Sequence, residues 1–298
     1  LPTGAIHQFA PVDAPAAARR FMAHWRPDAA LFVESELWPN LIGEARRAGA
    51  ALAIVNGRMS ARSAKGWSRA PRAIAALLAR FDLCLAQSEI DAARFRQLGA
   101  TGAIACGNLK FDADPLPFDA AALETLRSAI GDRPVFIAAS THPGEEAAAI
   151  LAHRAAATRI PRLLTIIAPR HAERGGDIAG MAEQAGLKVA TRSRGEMPDA
   201  DAAIYLADTM GELGLVYRLG RLAFVGGSLV EHGGQNPIEA AKLGVGVLHG
   251  PHVGNFLDAY AAFDRDGAAI GIDDPDRLGA EVAALLTNRA RLDRMARS

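Results

Sequence analysis

A chain of 298 residues, half of them hydrophobic, is long enough for two domains of ordinary size, each burying its own core. Its 33 Lys and Arg balance 33 Asp and Glu, and a net charge of zero excludes any global attraction to nucleic acid or to an anionic membrane, so such attraction must be local. The two cysteines, Cys84 and Cys106, lie in apolar strand-like runs without metal-ligand spacing, as buried thiols of a reducing compartment do, and no stretch reaches the ~20 apolar residues of a membrane span.

Along the first half, short apolar runs alternate with Ala- and Arg-rich helical runs, the pattern of a doubly wound α/β fold with a parallel sheet covered on both faces. Strands are expected at 29–33, 52–55 and 83–86, with helices stopping at Gly49 and Gly99. After the first strand comes Glu34-Ser35-Glu36-Leu37-Trp38-Pro39-Asn40. In an extended strand Glu34 and Glu36 share a face, and their repulsion would raise one pKa, as suits acid–base or charge-stabilising work on sugars. Trp38-Pro39-Asn40 adds a rigid aromatic wall; the alternative is an ordinary acidic helix start. Arg58, Arg62, Lys65, Arg69 and Arg72 recur at helical spacing with no acid among them. They form either a solvated face or one basic stripe that meets lipid head groups or a phosphorylated acceptor. Lys110, in Gly107-Asn108-Leu109-Lys110-Phe111-Asp112, either holds negative charge in a cleft or pairs with Asp112. A proline-stiffened stretch follows, giving a first domain over 1–112, a linker over 113–132 and a second domain over 133–298.

In the second domain strands are expected at 135–138, 163–167, 203–206, 222–225 and 245–248. Two such halves bind ligands at the carboxyl ends of their strands, and the unusual polar clusters fall there. Pro169-Arg170-His171 ends the second of these strands, where a planar guanidinium suits a phosphate or carboxylate. Thr209-Met210-Gly211-Glu212 follows the third and reads on spacing alone as a capping box. After the fourth strand, Gly226-Gly227-Ser228 leads to Glu231-His232-Gly233-Gly234-Gln235-Asn236-Pro237-Ile238-Glu239. Asn236 as N-cap, Pro237 at the first helical position and Glu239 at the third make a second box. The glycines and helix start also suit close approach to a nucleotide phosphate, with the carboxylate on ribose.

Seven segments in order resemble the 3-deoxy-D-manno-octulosonic acid (Kdo) transferase family: 34–40, 55–63, 85–89, 107–112, 168–171, 210–213 and 233–241. The resemblance covers nearly the whole chain. It implies a GT-B glycosyltransferase with two Rossmann-like domains facing a cleft, moving Kdo from CMP-Kdo to a lipid A precursor with inversion and without metal or cofactor. It also implies work at the cytoplasmic face of the bacterial inner membrane. Carried over by motif, Pro169, Arg170, Met210, Gly211, Glu212, Asn236, Pro237, Ile238 and Glu239 would bind CMP-Kdo, which revises the capping reading of 209–212. Glu36 and Lys110 would support the transition state. The family's general base is a glutamate upstream of the 34–40 motif, and residues 1–33 hold no glutamate. The chain opens on Leu1 and ends in a charged run, so the expectation is a segment that starts after that base and a membrane anchor and stops short of the family's C-terminus. Such a segment would bind donor better than it turns over. Two other readings fit: a UDP-sugar epimerase-like GT-B enzyme, or a non-catalytic nucleotide-sugar-binding fragment.

Overall fold

The structure, a computed structural model, describes residues 3–298, which divide into two compact units meeting in sequence between Ala113 and Asp114. The first unit holds a four-stranded parallel sheet in sequential order: β1 (Ala29–Val33), β2 (Ala51–Gly57), β3 (Leu83–Ala86) and β4 (Ile104–Ala105). Alternation along the strands sends Phe32, Leu52, Ile54, Cys84 and Ala86 to one face. There they pack with Ile42, Ile74, Leu78 and Phe95 from the helices. The opposite face departs from the expectation of a sheet covered on both sides, for it shows Leu31, Val33, Leu83 and Ile104 at 66%, 49%, 44% and 52% exposure.

The second unit is doubly wound. Its strands are β5 (Val135–Thr141), β6 (Leu164–Pro169), β7 (Val189–Thr191), β8 (Ile204–Leu206), β9 (Leu222–Val225), β10 (Gly246–His249) and β11 (Ala269–Gly271). They lie in the order β11-β10-β9-β5-β6-β8-β7, and every pair is parallel. The central strands are buried on both faces, so β9 and residues 135–139 of β5 read as unbroken apolar runs. Phe136, Ala138, Ile167 and Phe224 face one core, while Ile137, Ile166, Ala223 and Val225 face the other. Gly279 lets helix Pro275–Leu286 lie close against helix Glu145–Ala157, since a Cβ there would sit 2.7 Å from that of Ala155.

The segment expected to link the domains, 113–132, instead carries helix Ala120–Ile130. Asp119 caps it by accepting from the N–H groups of Ala121 and Ala122, and Leu123, Leu126 and Ile130 enter the second unit's core. The expected basic stripe is also broken. Helix Ala61–Trp67 ends at Ser68 and a new helix, Pro71–Leu78, starts at a proline, so Arg62 and Lys65 stand on one helix, Arg72 on another, and Arg58 and Arg69 outside both. Cys84 is buried, its thiol pushed up to about 11 by that burial, whereas Cys106 is exposed just past β4.

Candidate functional site

Strand β5 opens the second unit's sheet and lies between β9 and β6, so the strand order reverses there. In open α/β sheets ligands bind outside the carboxyl ends of the strands at such a reversal. What leaves β5, β6, β8 and β9 at that end builds the site. Ser140, the residue before the last of β5, holds left-handed backbone, φ 54°, a strained state for a residue with a Cβ. Beside it, Arg170 donates its backbone N–H to the Thr141 carbonyl at 3.0 Å. Ser140, Pro169, Arg170, Met210, Gly211 and Glu212 line one hollow with a cavity volume of about 60 Å³. Five of the nine donor residues expected from sequence are thereby gathered in one place.

Glu212 is not a capping residue of the expected kind. It stands at the N-cap of helix Leu213–Tyr217, and Arg192 grips its carboxylate with a fork of two bonds at 2.8 and 2.6 Å while Thr209 Oγ1 donates to it. The Arg192 bonds hold its carboxyl below the usual range, and Glu212 in turn pushes the guanidinium up. Asn236, Pro237, Ile238 and Glu239 follow the glycine turn after β9. Helix Ile238–Ala241 begins later than expected, with Pro237 at its N-cap. Asn236 still accepts the Ile238 N–H at 3.1 Å and donates its amide to Glu239 at 3.0 Å, so the box closes through side chains instead of through the Asn236 backbone.

The loop after β5 was not singled out in the sequence, yet it ties the site together. Glu145, 1% exposed, accepts the backbone N–H groups of His142, Gly227, Ser228 and Leu229 at 2.7–2.9 Å. This stitches the β5 end to the β9 turn, and the contact is close because a Cβ on Gly226 would lie 2.5 Å from the Ser140 carbonyl oxygen. Glu146 is engaged by Arg174 and by Thr141 Oγ1. His142 sits in the same knot, its ring 3.9 Å from that of His232 and its Nε2 3.0 Å from the Gln235 amide nitrogen. The signal that would have found this loop is a buried strand running directly into Ser-Thr-His-Pro-Gly-Glu-Glu.

In the first unit the carboxyl ends of the strands gather charge as well. Glu34, just past β1, has φ 60°, which breaks the extended alternation that would have put Glu34 and Glu36 on one face. The two acids are parted: Glu34 pairs with Lys110 Nζ at 2.6 Å, and Glu36 accepts from the Trp38 indole. Lys110 is thus paired with Glu34, on the short 3₁₀ turn Leu109–Phe111. Asn56, at φ 52° in β2, accepts the Leu109 N–H at 3.1 Å and fixes that turn.

Comparison with known proteins identifies the family. A family model described as 3-deoxy-D-manno-octulosonic-acid transferase matches residues 1–113. The 3-deoxy-D-manno-octulosonic acid transferase of Haemophilus influenzae is 33% identical over 294 residues, which is 97% of this chain and 69% of that protein. Other relatives of the same description are covered over 62–63% of their length, so the chain spans about two thirds of the proteins it matches. The crystal structure of the C-terminal CMP-Kdo binding domain of WaaA from Acinetobacter baumannii is similar at a TM-score of 0.57 and 30% identity, covering 59% of this chain and 93% of that domain. A putative UDP-N-acetylglucosamine 2-epimerase from Listeria monocytogenes covers 95% of this chain and is itself covered over 71%, at a TM-score of 0.59 and 16% identity, a likeness of fold alone. The fold is mixed α/β with parallel sheets of the GT-B class, and the chain belongs to the 3-deoxy-D-manno-octulosonic acid transferase family of glycosyltransferases.

Proposed function

We propose that the second unit binds CMP-Kdo and that the chain serves a transferase which moves Kdo to a lipid A precursor. The observation that carries this reading is the hollow at the ends of β5, β6 and β8, where Arg170, Met210, Gly211 and Glu212 meet in a chain similar over 59% of its length to a CMP-Kdo binding domain. Arg170 offers a fixed fork to the phosphate, while Asn236 and Glu239 present polar groups at a helix start to the nucleoside.

In the reaction, an acceptor hydroxyl oxygen bonds to the anomeric carbon while the carbon–oxygen bond to phosphate breaks. The bonding pair leaves with CMP, the hydroxyl proton passes to a base, and attack opposite the leaving group inverts the centre. Glu36 and Lys110 support the charges that separate as the sugar becomes oxocarbenium-like. Arg170 takes the growing negative charge that a metal carries in other transferases, so turnover needs no metal. The exposed Arg62, Lys65, Arg69 and Arg72, with half-buried Arg58, hold the first unit to the anionic inner-membrane surface where a lipid acceptor resides.

The test is turnover by a full-length protein containing this chain, with CMP-Kdo and tetra-acylated lipid A precursor. Release of CMP that persists in EDTA, with an inverted anomeric centre in the product, is expected. Absence of CMP release from an otherwise folded protein would overturn the reading.

A further inference from the structure

Two residues past Ser140 of the hollow, and outside the hollow's own lining, stands a group that no motif of the site uses. His142 leaves the end of β5, is 6% exposed, and faces the β9 turn through His232 and Gln235. Across the 3.0 Å contact only the Gln235 amide can donate, so His142 Nε2 accepts and the ring carries its proton on Nδ1. Burial, and then the neighbouring His232 ring, hold His142 below the ordinary histidine range and keep it neutral near pH 7. The acids nearest it are already occupied, Glu145 by four backbone N–H groups and Glu146 by Arg174 and Thr141. His171, the other titratable group at this end, stands 6.1 Å away ring to ring.

Resting on the donor reading above, we propose that His142 is a further donor-site residue, whose imidazole, fixed by Gln235 and stacked on His232, presents Nδ1–H to a phosphate oxygen of the bound sugar nucleotide. The place is the one where doubly wound sheets bind phosphate, between the loops that follow the two strands flanking the reversal. A neutral donor held by its other nitrogen needs no reorganisation as negative charge grows on the departing phosphate. Histidine is required over glutamine because the two ring nitrogens do different work, one accepting from Gln235 and one donating to the ligand.

The test compares CMP and cytidine binding to the 298-residue chain and to its His142→Leu and His142→Asn variants. His142→Leu weakens CMP about tenfold or more, the size of one hydrogen bond to a charged group, and leaves cytidine unchanged. His142→Asn, whose amide N–H falls near the Nδ1 position, recovers part of the loss. In long-range ¹H–¹⁵N spectra of the unaltered chain, His142 shows a protonated Nδ1 that shifts when CMP is added. An unmoved Nδ1 signal, unchanged CMP affinity in His142→Leu, or equal losses for CMP and cytidine would overturn the inference while leaving the donor reading intact. A folded, unaltered chain that binds no CMP would bring down the donor reading, and this inference with it.

Discussion

Glu34, Asn56 and Ser140 share an unusual property: each carries a side chain yet holds left-handed backbone, and each lies at or just past the carboxyl end of β1, β2 or β5. Such strain persists only where surrounding contacts over-determine it, and here it turns the chain toward Lys110, the Leu109 turn and the Arg170 hollow. Sequence patterning does not register this. The Glu34–Glu36 alternation fails for that reason, since a period of two presumes extended backbone throughout. That Arg170, Met210 and Glu212 would come together was legible because each stands in the segment that leaves an apolar strand. Arg192, which holds Glu212, was not, because twenty residues separate the partners.

A second residue-scale consequence concerns acid. His153 is 3% exposed, its Nδ1 2.9 Å from Thr165 Oγ1, and burial pushes its pKa down to about 4 from 6.5. Below pH 6.5 the unfolded chain takes up a proton there that the folded chain refuses, so stability falls as pH drops from 6.5 toward 4. The linkage amounts to about 3 kcal/mol. Urea unfolding at pH 7 and pH 4.5 is expected to show this loss, and His153→Gln, which cannot titrate, should reduce it; an equal loss in the variant would contradict the assignment.

At the scale of elements, the eight strands expected from apolar runs are all present, and the three missed are β4, β7 and β11. These have two or three residues each and form sheet edges, where strands are short and leave little pattern to read. Helix Ala120–Ile130 was lost in the same way, because the prolines before it suggested a linker and its core face is only three residues wide. The β5 and β9 loops act as one element through Glu145. Glu145→Ala leaves four backbone N–H groups without their acceptor and is expected to cost roughly 3 kcal/mol or more in urea unfolding. A change below about 0.5 kcal/mol, the range of ordinary surface substitutions, would show that the stitch does not hold the turn. The basic residues between Arg58 and Arg72 make a separate prediction. Charge reversal at Arg62, Lys65 and Arg69 should abolish salt-sensitive binding to phosphatidylglycerol vesicles, and unchanged vesicle sedimentation would remove the membrane role proposed for them.

At the scale of the whole molecule, two units of parallel α/β structure carry two sets of polar groups, and both sets stand where their strands end. Helical and strand periodicity lapses in the sequence after residue 112, next to the division of the chain into its two units after Ala113, because the proline-stiffened stretch there supports neither period. Family membership rests on a relative 33% identical over 97% of the chain, whereas the likeness to UDP-sugar epimerases is one of fold and does not choose the base. That choice is the central claim. Titrating the 298-residue chain with CMP and with UDP in a calorimeter tests it most directly. Binding of CMP about tenfold tighter than UDP or more, and lost in Arg170→Ala, is the predicted result, while tighter binding of UDP, or CMP binding indifferent to Arg170, would contradict it.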